Sequence, residues 1–420
     1  MFSLKTWLMK IKCILLLMLF LIKESAAQWF QQNSGTTKNL SSVFFADANT
    51  GYIVGDSGTI LKTLDGGLNW LTQNSLTLFP LYSVFFVSPD SGYAVGQNGT
   101  IIKTTDGGAT WSSQASGTSF SLTSVYFPDH QTGYIVGMGS WEGGITLKTT
   151  DSGTTWNIIN SDIWSLRSVY FTDADIGFVI GGHFYYPGSH EVVRKTMDGG
   201  TTWTNDTLSY GSGYLTSVYF TDSLNGFVAG AFGMPLGGGG VYSTFDGGNY
   251  WSWQFIPVYT SSVFFTSADT GYISGESSIN GYGTVVKTVN GGFSWSGNLV
   301  ETQLSLNSVF FTHADTGYVA GNHGMILKTT NGGGYPVGIK EQPKNGSLMT
   351  IHPNPVRDKL TIETSMKGTL TIFNFSNQRL LSYQVRKSTT TIDISNFPSG
   401  IYFIQIMGER MVATGRFVKH

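Results

Sequence analysis

Residues 40–70, LSSVFFADANTGYIVGDSGTILKTLDGGLNW, contain the pattern that decides the fold. Short runs of β-branched and aromatic residues are separated by turns rich in Asp and Gly, and no helical spacing of apolar residues is present. The pattern predicts strand a over 42–45, strand b over 52–54, strand c over 59–63 and strand d from residue 69. Four short antiparallel strands in about 44 residues are typical of one blade of a β-propeller.

The same frame returns at residues 81–111 and begins again at residue 122. A Gly followed by Tyr or Phe marks every unit, and the successive spacings are 41, 41, 44, 49, 45 and 46 residues. These marker glycines are Gly51, Gly92, Gly133, Gly177, Gly226, Gly271 and Gly317. Seven units of this length predict an all-β chain whose residues 28–336 form a seven-bladed β-propeller.

The two ends of the repeat array predict how the propeller closes. Unit seven ends at KTTNGGG, residues 328–334, and lacks both the Trp and the fourth strand of the other units. Residues 28–34, QWFQQNS, resemble the segment WLTQNS at residues 70–75 that begins strand d after unit one. We therefore predict that the N-terminal strand completes the last blade, which would remove the open edges of the array.

The last turn of the first six units joins an Asp or Asn to a Trp, as in TLDGGLNW, TTDGGATW and TVNGGFSW. An Asp side chain can accept backbone N–H bonds across such a turn, and Gly permits a positive φ. Asn replaces Asp in units six and seven, which a turn cap tolerates and a catalytic carboxylate does not. The predicted structural residues are Asp65, Asp106, Asp151, Asp198, Asp246, Asn290 and Asn331, with Trp70, Trp111, Trp156, Trp203, Trp251 and Trp295.

These turns resemble the Asp-box, or BNR, repeat of sialidases, sortilin-type receptors and photosystem II assembly-factor propellers. The unit spacing is most similar to the photosystem II assembly-factor class. The resemblance implies the fold and leaves the function open, because the motif is architectural. Sialidases need three arginines, whereas residues 28–335 contain only Arg167 and Arg194. We therefore expect a binding module that is not an enzyme, with an Asp-box-type glycan-acting hydrolase as the alternative.

The N-terminal residues predict export. Lysines precede an apolar run at 14–22, and Ser25-Ala26-Ala27 is typical of a signal-peptidase site, so we assign residues 1–27 to a signal peptide. The apolar run is too short for a transmembrane anchor. Cys13 is the only cysteine, so we expect neither a disulfide nor thiol chemistry after cleavage.

Charge is distributed unevenly along the chain. Residues 28–335 carry 7 Lys and 2 Arg against 16 Asp and 4 Glu, a net charge of −11, whereas residues 336–420 carry +6. An acidic propeller argues against nucleic acid as a partner. We expect no cofactor and no metal, because His183, His190 and Glu191 share one loop but lack a known ligand spacing.

After a predicted linker at 337–347, residues 348–420 alternate apolar strands with polar turns and predict a small β-sandwich. IHPNPV at 351–356, GIY at 400–402 and the terminal RFVKH resemble the type A sorting domain of the type IX secretion system. The resemblance implies engagement of that machinery, removal of this domain, and a product that is secreted or held on the outer cell surface.

The b–c loops differ between units, and binding residues concentrate in variable loops on a rigid frame. Units one, two and seven have minimal b–c turns, whereas units three to six carry longer loops rich in aromatic residues. Such residues beside a few carboxylates suit an unknown protein or glycan ligand. The predicted binding residues are Trp141, Glu142, His183, Tyr185, Tyr186, Phe232 and Tyr282.

Overall fold

The computed structural model describes residues 29–139, 143–162, 165–182, 191–208, 213–232, 238–295, 300–334, 349–374, 379–407 and 412–419. The predicted signal peptide at 1–27 and the predicted linker at 337–347 lie outside these ranges. Among the described residues, no helix has the length and apolar character required to span a bilayer.

Residues 29–334 form seven four-stranded antiparallel sheets, and each sheet contains one repeat unit. Strand b is buried along its whole length in unit one, where GYIVG is inaccessible on both faces of the sheet. Sheet one consists of Leu40–Phe45, Gly51–Gly55, Ile60–Thr63 and Leu71–Gln73, and sheet two of Leu81–Phe86, Gly92–Gly96, Ile101–Thr104 and Ser112–Gln114. Sheet three consists of Ser121–Tyr126, Gly133–Met138, Gly144–Thr149 and Asn157–Asp162, and sheet four of Ser165–Phe171, Gly177–Gly182, Glu191–Thr196 and Thr204–Leu208.

The remaining sheets follow the same order a-b-c-d. Sheets five and six consist of Gly213–Phe220, Gly226–Phe232, Gly238–Thr244 and Ser252–Ile256; and Val258–Phe265, Gly271–Ser277, Gly283–Thr288 and Glu301–Thr302. Sheet seven consists of Leu306–Phe311, Gly317–Gly321, Ile326–Thr329 and the N-terminal strand Phe30–Gln32. Short 3-10 turns occupy Asp56–Gly58 and Asn322–Gly324.

The N-terminal strand pairs antiparallel with strand c of sheet seven, with Phe30 opposite Lys328 and Gln32 opposite Ile326. Trp29 is 6% exposed and meets the edge of Phe311 at a centroid distance of 6.0 Å. In sheet one, Trp70 meets Phe45 in the same way at 5.9 Å. The N-terminal Trp therefore fills, in unit seven, the position that the box Trp fills in unit one.

Neighbouring sheets are joined by a repeated hydrogen bond between their a strands. The backbone N–H of Val84 donates to Ser42 Oγ of the preceding sheet over 3.4 Å, and the same bond occurs at every junction. One of these bonds, from Val43 N–H to Ser308 Oγ over 3.2 Å, joins the first sheet to the seventh. The other five donors are Val125, Val169, Val218, Val263 and Val309.

The c–d turn is held by one Thr and one Asp. In unit two, Gly108 N–H and Asp106 N–H both donate to the buried Thr104 Oγ1, which in turn donates to Asp106 Oδ1 over 2.8 Å. Asp106 Oδ1 also accepts Thr110 N–H over 2.9 Å. Asn290 accepts the equivalent two bonds in unit six over 2.9 and 3.0 Å, so an amide oxygen serves as well as a carboxylate in this turn.

Most c–d turns are also clamped by the preceding sheet. Tyr52 Oη and Lys62 Nζ both donate to the carbonyl of Gly107, over 2.7 and 2.6 Å. Tyr52 also stacks on Phe86 of the next sheet with centroids 3.8 Å apart. Most of the lysines before the turns therefore bond to a neighbouring turn. The equivalent clamping lysines are Lys103, Lys148, Lys287 and Lys328.

The C-terminal residues form two facing sheets around a separate apolar core that includes Leu370, Tyr402 and Phe417. Strands of alternating apolar residues bury one face in this core, as expected for a sandwich. The first sheet has the order Met349–His352, Lys359–Thr364 and Thr389–Asp393, and the second Arg379–Val385, Gly368–Asn374, Gly400–Met407 and Val412–Lys419.

Candidate functional site

A ring of seven side chains lies where the a strands begin. Each a strand has a bulge in its pairing with strand b, between Leu40 and Ser42 in unit one, and the extra residue of the bulge is aimed away from the ladder. Together the seven bulge residues, which we call the axial ring, line one cavity of about 540 Å³. They are Ser41, Tyr82, Thr123, Arg167, Thr216, Ser261 and Asn307.

The cavity opens at the end of the sheets that carries the b–c and d–a connections. Met138 and Ala231, near the ends of two b strands, line the cavity, and so does Asn322 from a b–c turn. Its volume lies within the range of sites that bind small ligands or the tip of a larger one. The Asp-box turns lie at the opposite end, because the a–b and c–d turns leave each sheet there.

Arg167 is the cation of the axial ring. Its guanidinium carbon lies 4.2 Å from the centroid of Tyr214, which favours the charged form through a cation–π contact. Burial lowers the pKa of Arg167, and its Nε is buried with no hydrogen-bond partner among the described residues. No carboxylate of the described chain forms an ion pair with it. The site therefore contains a partly desolvated positive charge that an anionic group of a ligand could neutralise.

The opposite side of the cavity contains one carboxylate and several fixed amides. Glu276 Oε2 accepts a bond from Ser305 Oγ over 3.0 Å. Asn307 Nδ2 donates to Leu40 O and to Asn322 Oδ1, over 2.8 and 2.9 Å. These bonds fix the orientation of the side chains before a ligand arrives, which reduces the entropy cost of binding.

Aromatic rings supply the apolar part of the lining. Tyr82, Tyr214 and Tyr259 all line the cavity, and Tyr259 is 38% exposed. Tyr side chains offer a flat apolar face and a polar hydroxyl, and they are common where proteins bind sugars or peptides. Chemically, the cavity suits a polar ligand that has an anionic group and an apolar face.

Most of the residues predicted to bind from the b–c loops lie outside the described part of the chain. Trp141, Glu142, His183, Tyr185 and Tyr186 fall outside the described residues. The backbone of Phe232 ends strand b of sheet five, and Tyr282 is 37% exposed in the b–c loop of sheet six. Tyr282 does not line the axial cavity, and the side chain of Phe232 lies outside what the structure describes, so the role of both residues stays a prediction.

Sequence reasoning missed the axial ring, although the sequence carries a signal for it. In the frame Leu-x-Ser-Val, which begins strand a of most units, the residue x is Ser, Tyr, Thr, Arg or Asn while its neighbours hardly change. In the sequence alone, Arg167 is one of two propeller arginines, which are fewer than the three that a sialidase needs. A side chain that varies between otherwise constant neighbours does not have to fit a repeated packing contact. In this chain, that side chain faces the cavity.

Asp65 and Asp106, two of the Asp-box residues, do not have the pKa that a general acid needs. Bonds from the backbone and side chain of Asn69 hold the pKa of Asp65 at about 2, and bonds from Thr110 do the same for the pKa of Asp106. A group with so low a pKa stays ionised at neutral pH and cannot act as a general acid. Among the described residues, no cluster of three His, Cys, Asp or Glu side chains could hold a metal ion; His183 and His190 lie outside those residues.

Two known families match separate parts of the chain. Residues 21–79 and 76–164 match the family described as photosynthesis system II assembly factor YCF48. Residues 350–420 match the family described as secretion system C-terminal sorting domain. No curated protein has a sequence that matches this chain significantly.

Solved structures show the same fold at low sequence identity. YCF48 bound to D1 peptide is similar with a TM-score of 0.57 and 19% identity, over 72% of this chain and 97% of that chain. YCF48 from Cyanidioschyzon merolae gives a TM-score of 0.58 and 20% identity, over 72% and 99%. The GH74 enzyme of Niastella koreensis gives 0.50 and 16%, over 90% and 65%. The chain therefore combines a YCF48-like BNR-repeat β-propeller with a secretion-system C-terminal sorting domain.

Proposed function

We propose that this protein is an exported, non-catalytic binding module whose ligand, a protein or a glycan, enters the axial cavity. The observation that carries the proposal is Arg167, a partly buried cation on the cavity wall with no carboxylate partner among the described residues. An anionic group of the ligand would supply that partner. The solved structure of YCF48 bound to D1 peptide supports the use of such a propeller for recognition.

The frame that presents this site is, in our proposal, a seven-bladed propeller closed by its N-terminal strand. Three observations support closure: seven four-stranded sheets, the pairing of Phe30–Gln32 with strand c of unit seven, and the bond from Val43 N–H to Ser308 Oγ between the first and last units. A closed ring has no free sheet edges and holds the axial ring rigid.

Export is proposed to use the type IX secretion system. The sorting-domain match at residues 350–420 supports this route, and the predicted signal peptide would first deliver the chain across the inner membrane. The product is then secreted or held on the outer cell surface, where a binding cavity meets external ligands.

Catalysis is not part of the proposal. Retaining and inverting glycosidases use a pair of carboxylates, whereas Glu276 is the one carboxylate among the described residues lining the cavity. The likeness to the GH74 enzyme is one of fold. A glycan-acting hydrolase remains the alternative, and hydrolysis of a bound glycan would support it.

The test is to screen the purified chain, without residues 1–27, against arrays of acidic and neutral glycans and of peptides with acidic residues. We expect an acidic ligand to bind, and Arg167→Gln to weaken that binding by roughly tenfold or more, as for a charge-assisted bond. Arg194→Gln is the matched control, because Arg194 does not line the cavity.

Three outcomes would contradict the proposal. Equal affinity of Arg167→Gln and the parent would show that the cavity is not the site. Preference for neutral or cationic ligands would show that the charge argument is wrong. Release of a shortened glycan would favour the hydrolase.

A further inference from the structure

The c–d turns of units five and six differ from the others by two phenylalanines. Phe245 precedes the box Asp of unit five, and Phe293 follows the two box glycines of unit six. At the same two positions of unit one, Leu64 and Leu68 are 65% and 69% exposed. Both phenylalanines are instead partly buried, so something covers them that does not cover unit one.

The covering group is Phe403 of the sorting domain. Its ring centroid lies 4.1 Å from that of Phe293 and 5.8 Å from that of Phe245, and the latter two rings are stacked at 5.3 Å. Tyr402 and Ile404, on either side of Phe403, are buried in the sandwich core. Phe403 therefore points outward, because successive residues of a strand face opposite sides.

An ion pair borders the aromatic contact. Arg416 Nη2 of the sorting domain lies 2.5 Å from Asp269 Oδ1 of unit six. Beside Phe403, a cavity of about 230 Å³ is lined from both domains, including Trp253 and Gln405. The opposite net charges of the two parts, −11 and +6, favour the same contact and its orientation.

The junction under Phe403 is also the one that has lost the interunit clamp. Phe227 and Ser243 stand where five other sheets have Tyr and Lys and where sheet four has Phe178 and Lys195. Ser243 lines the cavity beside Phe403. A Lys at this position would place its charge against the docked domain and would cost desolvation energy. Because Ser243 stands in place of a Lys, the propeller surface that faces Phe403 carries no charge at this position.

We propose that the junction of sheets five and six is a docking surface for the sorting domain of the same chain, so that the exported precursor moves as one body. Three rings and one half-exposed ion pair are too few to hold two separate chains together. Residues 335–348 connect the domains in sequence, and such a tether raises their effective concentration to about the millimolar range. A small contact then suffices. Removal of the sorting domain would expose Phe245 and Phe293.

The test uses cross-linking in the chain without residues 1–27, which has no cysteine of its own. Ser252→Cys and Gln405→Cys place one thiol on each domain at the same cavity. Ser112→Cys with Gln405→Cys is the matched control, because Ser112 begins strand d of sheet two as Ser252 does in sheet five. With a short bis-maleimide, we expect the interface pair to cross-link within one chain at least about tenfold faster than the control pair.

Two sets of variants then test the contacts themselves. Phe403→Ala should reduce the rate to that of the control pair, with an unchanged thermal transition of the propeller as proof of folding. Asp269→Arg and Arg416→Asp should each slow the reaction, and the double variant should restore it. Equal rates for the interface and control pairs, or no effect of Phe403→Ala, would overturn the proposal. Ligand binding is not involved, so the result is independent of the proposed function.

Discussion

The two ends of the propeller sheets use the same strands for opposite purposes. At the c–d end, Thr104 and Asp106 and their counterparts repeat one set of bonds in unit after unit. At the other end, the axial ring contains five residue types in seven positions. The repeated bonds of the c–d turns need the same side chains in each unit, whereas the axial positions accept side chains of different size and charge. The comparison indicates that the repeated residues stabilise the sheets, and we propose that the varied residues of the axial ring contact the ligand.

The largest expected effect on stability comes from removal of the N-terminal strand that completes sheet seven. Deletion of residues 28–34 removes Trp29 and leaves the Ile326–Thr329 strand with an open edge. We expect a loss of roughly 3–5 kcal/mol of unfolding free energy, as for other buried Trp residues that are removed. Thermal melting monitored by circular dichroism measures it. Phe30→Ala, at a 43% exposed residue of the same strand, is the control, and a melt of the deletion variant equal to that of the parent would contradict closure.

A single box threonine should have the next largest effect. Thr104→Val keeps the shape but leaves Gly108 N–H without its acceptor in a buried turn, which costs about 1–3 kcal/mol. Chemical denaturation measures the loss, and affinity for the ligand should not change. Thr72→Val, at an exposed position of strand d, should be neutral. If Thr104→Val were as stable as the parent, the repeated bonds of the c–d turn would not be needed for stability.

Among the described residues, the end with the b–c connections contains one buried carboxylate, and its titration gives a pH test. Glu191 is fully buried, accepts a 2.6 Å bond from Tyr242 Oη, and burial raises its pKa to about 7. The folded state therefore retains a proton that the unfolded chain releases near its ordinary pKa. The resulting stability is complete below about pH 4.5 and is lost as pH rises through 7.

Glu191→Gln should remove that dependence, because Gln stays neutral and keeps an acceptor for Tyr242. We expect the variant to exceed the parent at pH 8 by up to about 3 kcal/mol, and to match it at pH 4. Denaturation at both pH values measures this. Glu363→Gln in the exposed part of the sorting domain is the control. Equal unfolding free energies of the parent and Glu191→Gln at pH 8 would show that ionisation of Glu191 does not destabilise the fold.

The smallest effect should come from the clamp between units, where the chain itself offers both versions. Tyr52→Phe removes one donor to the Gly107 carbonyl while Lys62 keeps the other, so we expect a loss of about 0.5–1.5 kcal/mol. Phe178→Tyr adds the missing hydroxyl to unit four and should raise the melting temperature slightly. Changes of the opposite sign in either variant would contradict the clamp.

The sequence by itself determined the repeat length, the number of units, the strand pattern and the Asp-box turns. These features depend on local chemistry, such as β-branched runs, a turn glycine and a Thr–Asp pair two residues apart, which adjacent residues reveal. The match between residues 28–34 and the d strands also lay in the sequence, because the pairing of Phe30–Gln32 in sheet seven reuses the same side-chain pattern.

Only the tertiary structure decided which variable residues meet. The seven residues of the axial ring are separated by 41 or more positions in the chain, and they converge because every a strand begins at the same end of its sheet. Arg167 contacts Tyr214 across two units, and Phe403 contacts Phe293 across two domains. Contacts of this kind form only when separate sheets or domains pack against one another, so no local pattern of residues predicts them.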